Sequence, residues 1–129
     1  SDITYRVYDW DRVDASGNSR ELHNDLAIDA IDFDMKDDFR VTYPTEMNHS
    51  NTMVQCQYFK TSMLPVKGIV SKHNDKDSFF IYMCVNGEAE IEVNNNKVSL
   101  KRGETVLIPA CIKSYSISSE SANLLEVYV

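Results

Sequence analysis

The chain has 129 residues, 43% of them hydrophobic, with only 4 Gly and 3 Pro; it can bury a core without disulfides or a structural metal, and it is neither a linker nor a low-complexity chain. Its formal net charge is −7 at pH 7, a field that repels phosphate backbones and anionic lipid, so neither nucleic acid nor a membrane is an expected partner. No apolar run reaches bilayer-spanning length, and SDITYRVYDW at the start lacks the basic-then-apolar pattern of a signal peptide.

In chain order, Ile3-Thr4-Tyr5-Arg6-Val7-Tyr8 is β-branched and aromatic and predicts an N-terminal strand. Ser16-Gly17-Asn18 signals a turn. Asn24 to Ile31 predicts a short helix. Asn24 stands where its side chain accepts from the first free N–H groups, Asp25 suits the helix N-terminus, and Leu26, Ala27, Ala30 and Ile31 share a face. Asp25, Asp29, Asp32, Asp34, Asp37 and Asp38 stand against Lys36 alone, the pattern of a solvated acidic connector.

From about Met53 the pattern is β. Val54, Cys56 and Tyr58 alternate onto one face, and Phe79 to Val85 is a continuous apolar run that predicts a strand buried on both sides. In Glu88-Ala89-Glu90-Ile91-Glu92-Val93 the glutamates face water and the apolar residues face the core. Asn94-Asn95-Asn96 turns the chain and Val98 and Leu100 return on the partner strand. Thr105 to Ile108, Lys113 to Ser118 and Leu124 to Val129 complete a set of short strands, which predicts a sandwich or barrel. The three cysteines, Cys56, Cys84 and Cys111, are widely spaced without a C-x-x-C pair, and buried free thiols in a reducing cytoplasm are expected.

Val85-Asn86-Gly87-Glu88-Ala89-Glu90-Ile91, followed by Lys101-Arg102-Gly103-Glu104-Thr105-Val106-Leu107-Ile108-Pro109-Ala110, resembles the cupin pattern of a small jelly-roll β-barrel. Gly87 sits where a strand bends or meets another backbone, Gly103 opens a tight turn, and Pro109 ends the strand by removing a ladder donor. Metal-binding cupins place two His and a Glu before the first Gly and a His after the Pro. On this chain the Glu position falls on Phe80, the two His positions on Asn74 and Lys76 (or His73 and Asp75), and the last on Ser114. Zinc needs at least three protein ligands, so the cupin is expected to be metal-free, with His73 a surface loop residue.

Thr4-Tyr5-Arg6-Val7-Tyr8-Asp9-Trp10-Asp11-Arg12, then Gly17-Asn18, Arg20-Glu21-Leu22-His23 and Ala30-Ile31-Asp32, together with the downstream Gly-Glu-Thr-x-Leu-Ile-Pro-Ala strand, resemble the bacterial zinc-dependent mannose-6-phosphate isomerases over essentially the whole chain. The resemblance implies an all-β cupin jelly roll with an N-terminal strand and one short helix. Residues 1–38 would lead from a catalytic cupin, and residues 39–129 would form the metal-free C-terminal cupin. It implies a parent enzyme that interconverts mannose 6-phosphate and fructose 6-phosphate, with zinc held by ligands upstream of the Thr-Tyr-Arg motif, so that this part alone lacks activity. It also implies that Arg6 is the catalytic residue present here, since an always-charged forked donor suits a phosphate or an enediolate oxygen.

Arg12, Arg20, Glu21 and His23 read as structural, with local ion pairs among Asp9, Asp11, Asp14, Arg6 and Arg12, and Tyr5, Tyr8 and Trp10 as core packing. Two other readings stand beside this one. One is a stand-alone cupin that binds a sugar or small ligand through Gln55, Gln57, Lys67 or Lys113 inside the barrel. The other is a dimerising module, in which an unpaired N-terminal strand pairs with a second copy.

Overall fold

A computed structural model describes residues 3–35 and 38–129. Lys36 and Asp37 of the acidic connector lie outside the described residues. The chain divides into two compact units, Ser1–Phe39 and Arg40–Val129.

The first unit holds helix α1 (Asn24–Asp29) and no strand among its described residues. The strand expected over Ile3–Tyr8 is absent. β-propensity needs a ladder partner to be realised, and here the segment instead enters a tight turn, with Arg12 N–H donating to Asp9 O at 3.0 Å and positive φ at Trp10 and Asp11. A second turn follows the predicted signal. Asp14 Oδ1 accepts from the N–H groups of Ser16 (2.8 Å) and Asn18 (2.9 Å), Gly17 takes φ 81°, and a single bridge joins Val13 to Ser19. Helix α1 begins at Asn24 as expected, but its N-cap is His23 and no side chain caps it. It ends at Asp29 rather than Ile31, and none of its residues is buried.

The second unit is antiparallel β: β1 (Asn51–Gln55), β2 (Lys60–His73), β3 (Phe80–Val93), β4 (Asn96–Lys101), β5 (Thr105–Ile108) and β6 (Ser114–Tyr128). The sheet order is β1-β2-β6-β3-β4, with β5 also on β3. β6 is therefore central and pairs along its length with both β2 and β3.

Three neighbouring strands lose register at one level. β2 shifts between Val66 and Gly68, β3 between Cys84 and Glu90, and the facing stretch of β6 is Ser119 to Ala122. Bulges add twist and bend a strand. Across them the buried positions of β3 change from Phe80, Tyr82 and Cys84 to Ala89 and Ile91, and those of β6 from Tyr115 and Ile117 to Ala122 and Leu124. The shift of parity keeps one face inward while the sheet folds over on itself. That inner face, with Leu64, Val66, Val70, Leu100 and Ile108, is the core. Among the described strands β1, β4 and β5 each pair on one side only, so the two halves of the jelly roll meet by packing and not through a closed ladder.

Gly87 occupies the bend with φ 75°, and a Cβ there would lie 2.2 Å from the Ser121 carbonyl oxygen. The hairpin between β3 and β4 turns at Asn94 and Asn95, both at positive φ. Gly103 opens the turn into β5 and Pro109 follows its last residue, as the sequence predicts.

Other expectations are corrected. Phe79–Val85 is buried on one side only, since Phe79 and Met83 are exposed and Phe80, Tyr82 and Cys84 buried; apolar residues on the outer face fill out the run. β1 stops at Gln55, leaving Cys56 and Tyr58 exposed in the connection to β2. Cys111 is also exposed, in the loop after Pro109, so Cys84 alone is a buried thiol.

Three substitutions test this account by urea denaturation. Gly87→Ala meets both backbone collision and an unfavourable φ and is expected to cost about 3 kcal/mol or more, whereas Gly68→Ala, which meets open space, costs about 1 kcal/mol. Ser62→Ala removes a fully buried hydroxyl with no hydrogen-bond partner and is expected to raise stability by about 1 kcal/mol.

Candidate functional site

The fold brings together polar groups that read as unrelated along the chain. Register places Ser62, Glu126 and Tyr82 side by side on β2, β6 and β3, and Lys72 beside Tyr115 on β2 and β6. The bend turns these two rows toward each other. Tyr82 Oη donates to Glu126 Oε2 at 2.7 Å, and the two phenol oxygens are 2.7 Å apart. Because the Tyr82 proton goes to the carboxylate, the Tyr115 hydroxyl donates to Tyr82 Oη. Lys72 Nζ donates to the same carboxylate oxygen at 2.6 Å and to Ser50 Oγ at 2.7 Å.

The cluster is dry. Tyr82 is 0% exposed, Glu126 3% and Tyr115 6%, and the Lys72 side chain 18%. Burial, with the Glu126 charge next, pushes the Tyr82 phenol far above its ordinary range. Burial chiefly pushes Tyr115 up to about 12. Both are neutral donors at physiological pH, so the cluster fixes a carboxylate and has no basic phenolate to offer.

The cupin-pattern positions carry no metal-ligand set among the described residues. Asn74 spends its carboxamide on Ser78 O (2.9 Å) and Lys76 N–H (2.9 Å). Phe80 packs on Tyr82 and Tyr128, and Lys76 Nζ lies 4.9 Å from the Tyr128 ring centroid. His73 is exposed, with Nδ1 3.1 Å from Ser114 Oγ. Among the described residues no three His, Cys, Asp or Glu side chains are grouped to hold a metal. A phenyl ring, a committed carboxamide and a serine do not suit zinc.

Gln55, Gln57, Lys67 and Lys113 are all exposed rather than inside the fold. Among the described residues the buried polar side chains are Asn51, Ser62, Asn74 and Glu126, with the Tyr82 and Tyr115 hydroxyls, and Lys72 is half-buried beside Glu126. The signal for Glu126 was its place in Leu124-Leu125-Glu126-Val127-Tyr128, where it shares parity with two inward residues.

In the first unit, Arg6 is half-buried and Nη1 donates to Glu21 O at 2.9 Å. Its backbone is braided with His23: His23 N–H donates to Arg6 O (2.7 Å) and Arg6 N–H to His23 Nδ1 (3.2 Å). The Thr-Tyr-Arg and Arg-Glu-Leu-His segments thus hold each other. Among the described residues of these motifs the ion pair is Arg20 with Asp9, and Arg6 and Arg12 act on Asp9 through their charge alone. The pair is two-pronged, with Nε to Oδ2 at 2.7 Å and Nη2 to Oδ1, and it holds Asp9 below the usual carboxylate range. Tyr8 and Trp10 are exposed and meet edge to face at 5.1 Å, so neither is a core residue.

Among the described residues no helix is long and apolar enough to cross a membrane. The family model of the mannose-6-phosphate isomerase cupin domain matches residues 49–129. YvyI of Bacillus subtilis is 32% identical over 120 residues, covering 91% of this chain and 37% of that protein. Mannose-6-phosphate isomerase ManA of the same organism is 29% identical over 111 residues, covering 84% of this chain and 35% of that protein. The crystal structure of the mannose 6-phosphate isomerase from Bacillus subtilis matches with TM-score 0.68 at 28% identity, covering 100% of this chain and 41% of that one. The chain spans little more than a third of the curated relatives it matches.

The tyrosines give a pH signature. Tyr115 holds its proton more tightly folded (about 12) than at the ordinary phenol value of 10.0, so its contribution to stability is complete below about pH 10 and is lost as pH rises toward about 12. Tyr115→Phe is expected to reduce that alkaline loss, the part set by Tyr82 remaining, in urea titrations on either side of pH 10. Tyr82→Phe leaves both Glu126 and Tyr115 short of a partner and is expected to cost about 2 kcal/mol at neutral pH.

Proposed function

Since this chain belongs to the mannose-6-phosphate isomerase cupin-domain family, we propose that it is the C-terminal, metal-free part of a longer cytoplasmic enzyme that interconverts mannose 6-phosphate and fructose 6-phosphate. The observation that carries this reading is coverage. Relatives align with 91% and 84% of the chain, through both units, while most of their own length lies outside the aligned part. In this reading zinc belongs to the remainder of the enzyme, and the cupin unit has a supporting, substrate-covering role. The 129-residue chain by itself turns nothing over.

Aldose–ketose isomerisation moves a proton between adjacent carbons through an enediol, and negative charge develops on a sugar oxygen. A fixed cation with several N–H donors stabilises that charge or anchors the phosphate. Arg6 suits the task. Its main chain is pinned to His23 and one guanidinium nitrogen to Glu21 O, which leaves further donors on a side chain whose direction is already set. Glu21 and His23 act on Arg6 and are positioning residues. The stand-alone ligand-binding reading loses support, because its four polar side chains are exposed.

The test is a coupled isomerase assay on the full-length protein supplied with zinc. Turnover of mannose 6-phosphate by the full-length protein, and none by the 129-residue chain, is expected. Absence of turnover in the full-length protein would sink the assignment. Arg6→Lys is expected to lower kcat/KM by about 100-fold while zinc content and melting temperature stay unchanged; an unimpaired Arg6→Lys enzyme removes Arg6 from catalysis.

A further inference from the structure

A buried carboxylate must be neutralised, and metal cupins place a metal among inward side chains. This fold has the carboxylate, but its pattern positions carry Asn74, Phe80 and Ser114. Among the described residues Glu126 is the one buried charged side chain, and its ion pair is with Lys72. We infer that the polar end of the folded sheet is a primary-ammonium site, occupied by the Lys72 side chain, whose Nζ is held between Glu126 and Ser50.

The walls of the site come from separate stretches of chain. Glu126 on β6 supplies the charge, and Ser50, just before β1, supplies a neutral oxygen. Tyr82 on β3 shares the same carboxylate oxygen, and Tyr115 holds Tyr82 in turn. An ammonium has three N–H donors, and two are satisfied here at 2.6 and 2.7 Å, charge-assisted distances. One carboxylate, one hydroxyl and two protonated phenols fall short of the ligand set a transition metal requires. They match a monovalent donor that needs acceptors and no coordination geometry. The half-buried Lys72 side chain runs from β2 to bring its nitrogen to Glu126 on the neighbouring β6. This inference does not depend on the isomerase reading.

Chemical rescue tests it. Lys72→Ala removes three methylenes and the ammonium, a fragment matched by n-propylammonium. In the 129-residue chain the variant is expected to melt about 10 °C or more below the unaltered chain, because Glu126 is left buried and unpaired. Millimolar n-propylammonium chloride is expected to restore the melting temperature saturably. It should not move the unaltered chain or Lys72→Ala/Glu126→Gln, and equal sodium chloride, tetramethylammonium or propanol should not replace it. Rescue by tetramethylammonium to the same degree, rescue by zinc in place of the amine, or no rescue of a folded Lys72→Ala chain each overturns the inference. If Lys72→Ala does not fold, nitrogen NMR of the unaltered chain decides. A Lys72 Nζ ammonium signal in slow exchange with water, lost in Glu126→Gln, supports the site; its absence from the unaltered chain overturns it.

Discussion

The constraint on which the second unit depends is the simultaneous bend of β2, β6 and β3. Three adjacent strands of 14, 15 and 14 residues are too long to pack a flat sheet against nothing. Folding the sheet over lets one half serve as the other's core. That requires the register breaks to coincide, and it requires one backbone to pass another at the crease. Gly87 against the Ser121 carbonyl is that passage. A glycine in mid-strand ordinarily weakens a ladder; here its missing side chain is the space the fold needs.

The polar cluster is a second consequence of the bend. Lys72 and Glu126 are 54 residues apart in sequence, and neither lies opposite the other in the ladder. Only when the two halves face each other do their rows meet. Such a pair costs several kcal/mol of desolvation per ion before any return. The return here is shared, because one carboxylate oxygen receives both the ammonium and a phenol. A slip of one residue in any of the three strands would leave a charge buried without its partner, so the cluster penalises misregistered packings that an apolar core would tolerate.

The legible parts of the fold were those governed by local rules. The Glu88–Val93 alternation, the Asn94–Asn95 turn, Gly103 and Pro109 each answer to dihedral limits or period-two burial, which a sequence displays directly. The misreadings arose where a partner decides. Ile3–Tyr8 has strand composition but no ladder to join, and Phe79–Val85 is apolar on both faces although only one is buried. Arg6, proposed above as the catalytic residue, was singled out by its motif, and the braid with His23 explains why the two motif segments accompany each other. Glu126 and Lys72 were not visible, because a charged residue in a strand reads as outward unless the parity of its neighbours is followed across a bulge.

β6 is the last element along the chain and also the middle of the sheet. β2 and β3 are made first, yet neither pairs with the other; each waits for the same late strand. During synthesis, every hydrogen bond that unites the two sides of the sheet is therefore deferred until Ser114–Tyr128 has left the ribosome. Until then β2 has only β1 to pair with and β3 only β4 and β5, so each long strand keeps one edge open, the kind of surface that chaperones hold. For the same reason this domain is built of distant pairings and belongs among slow folders.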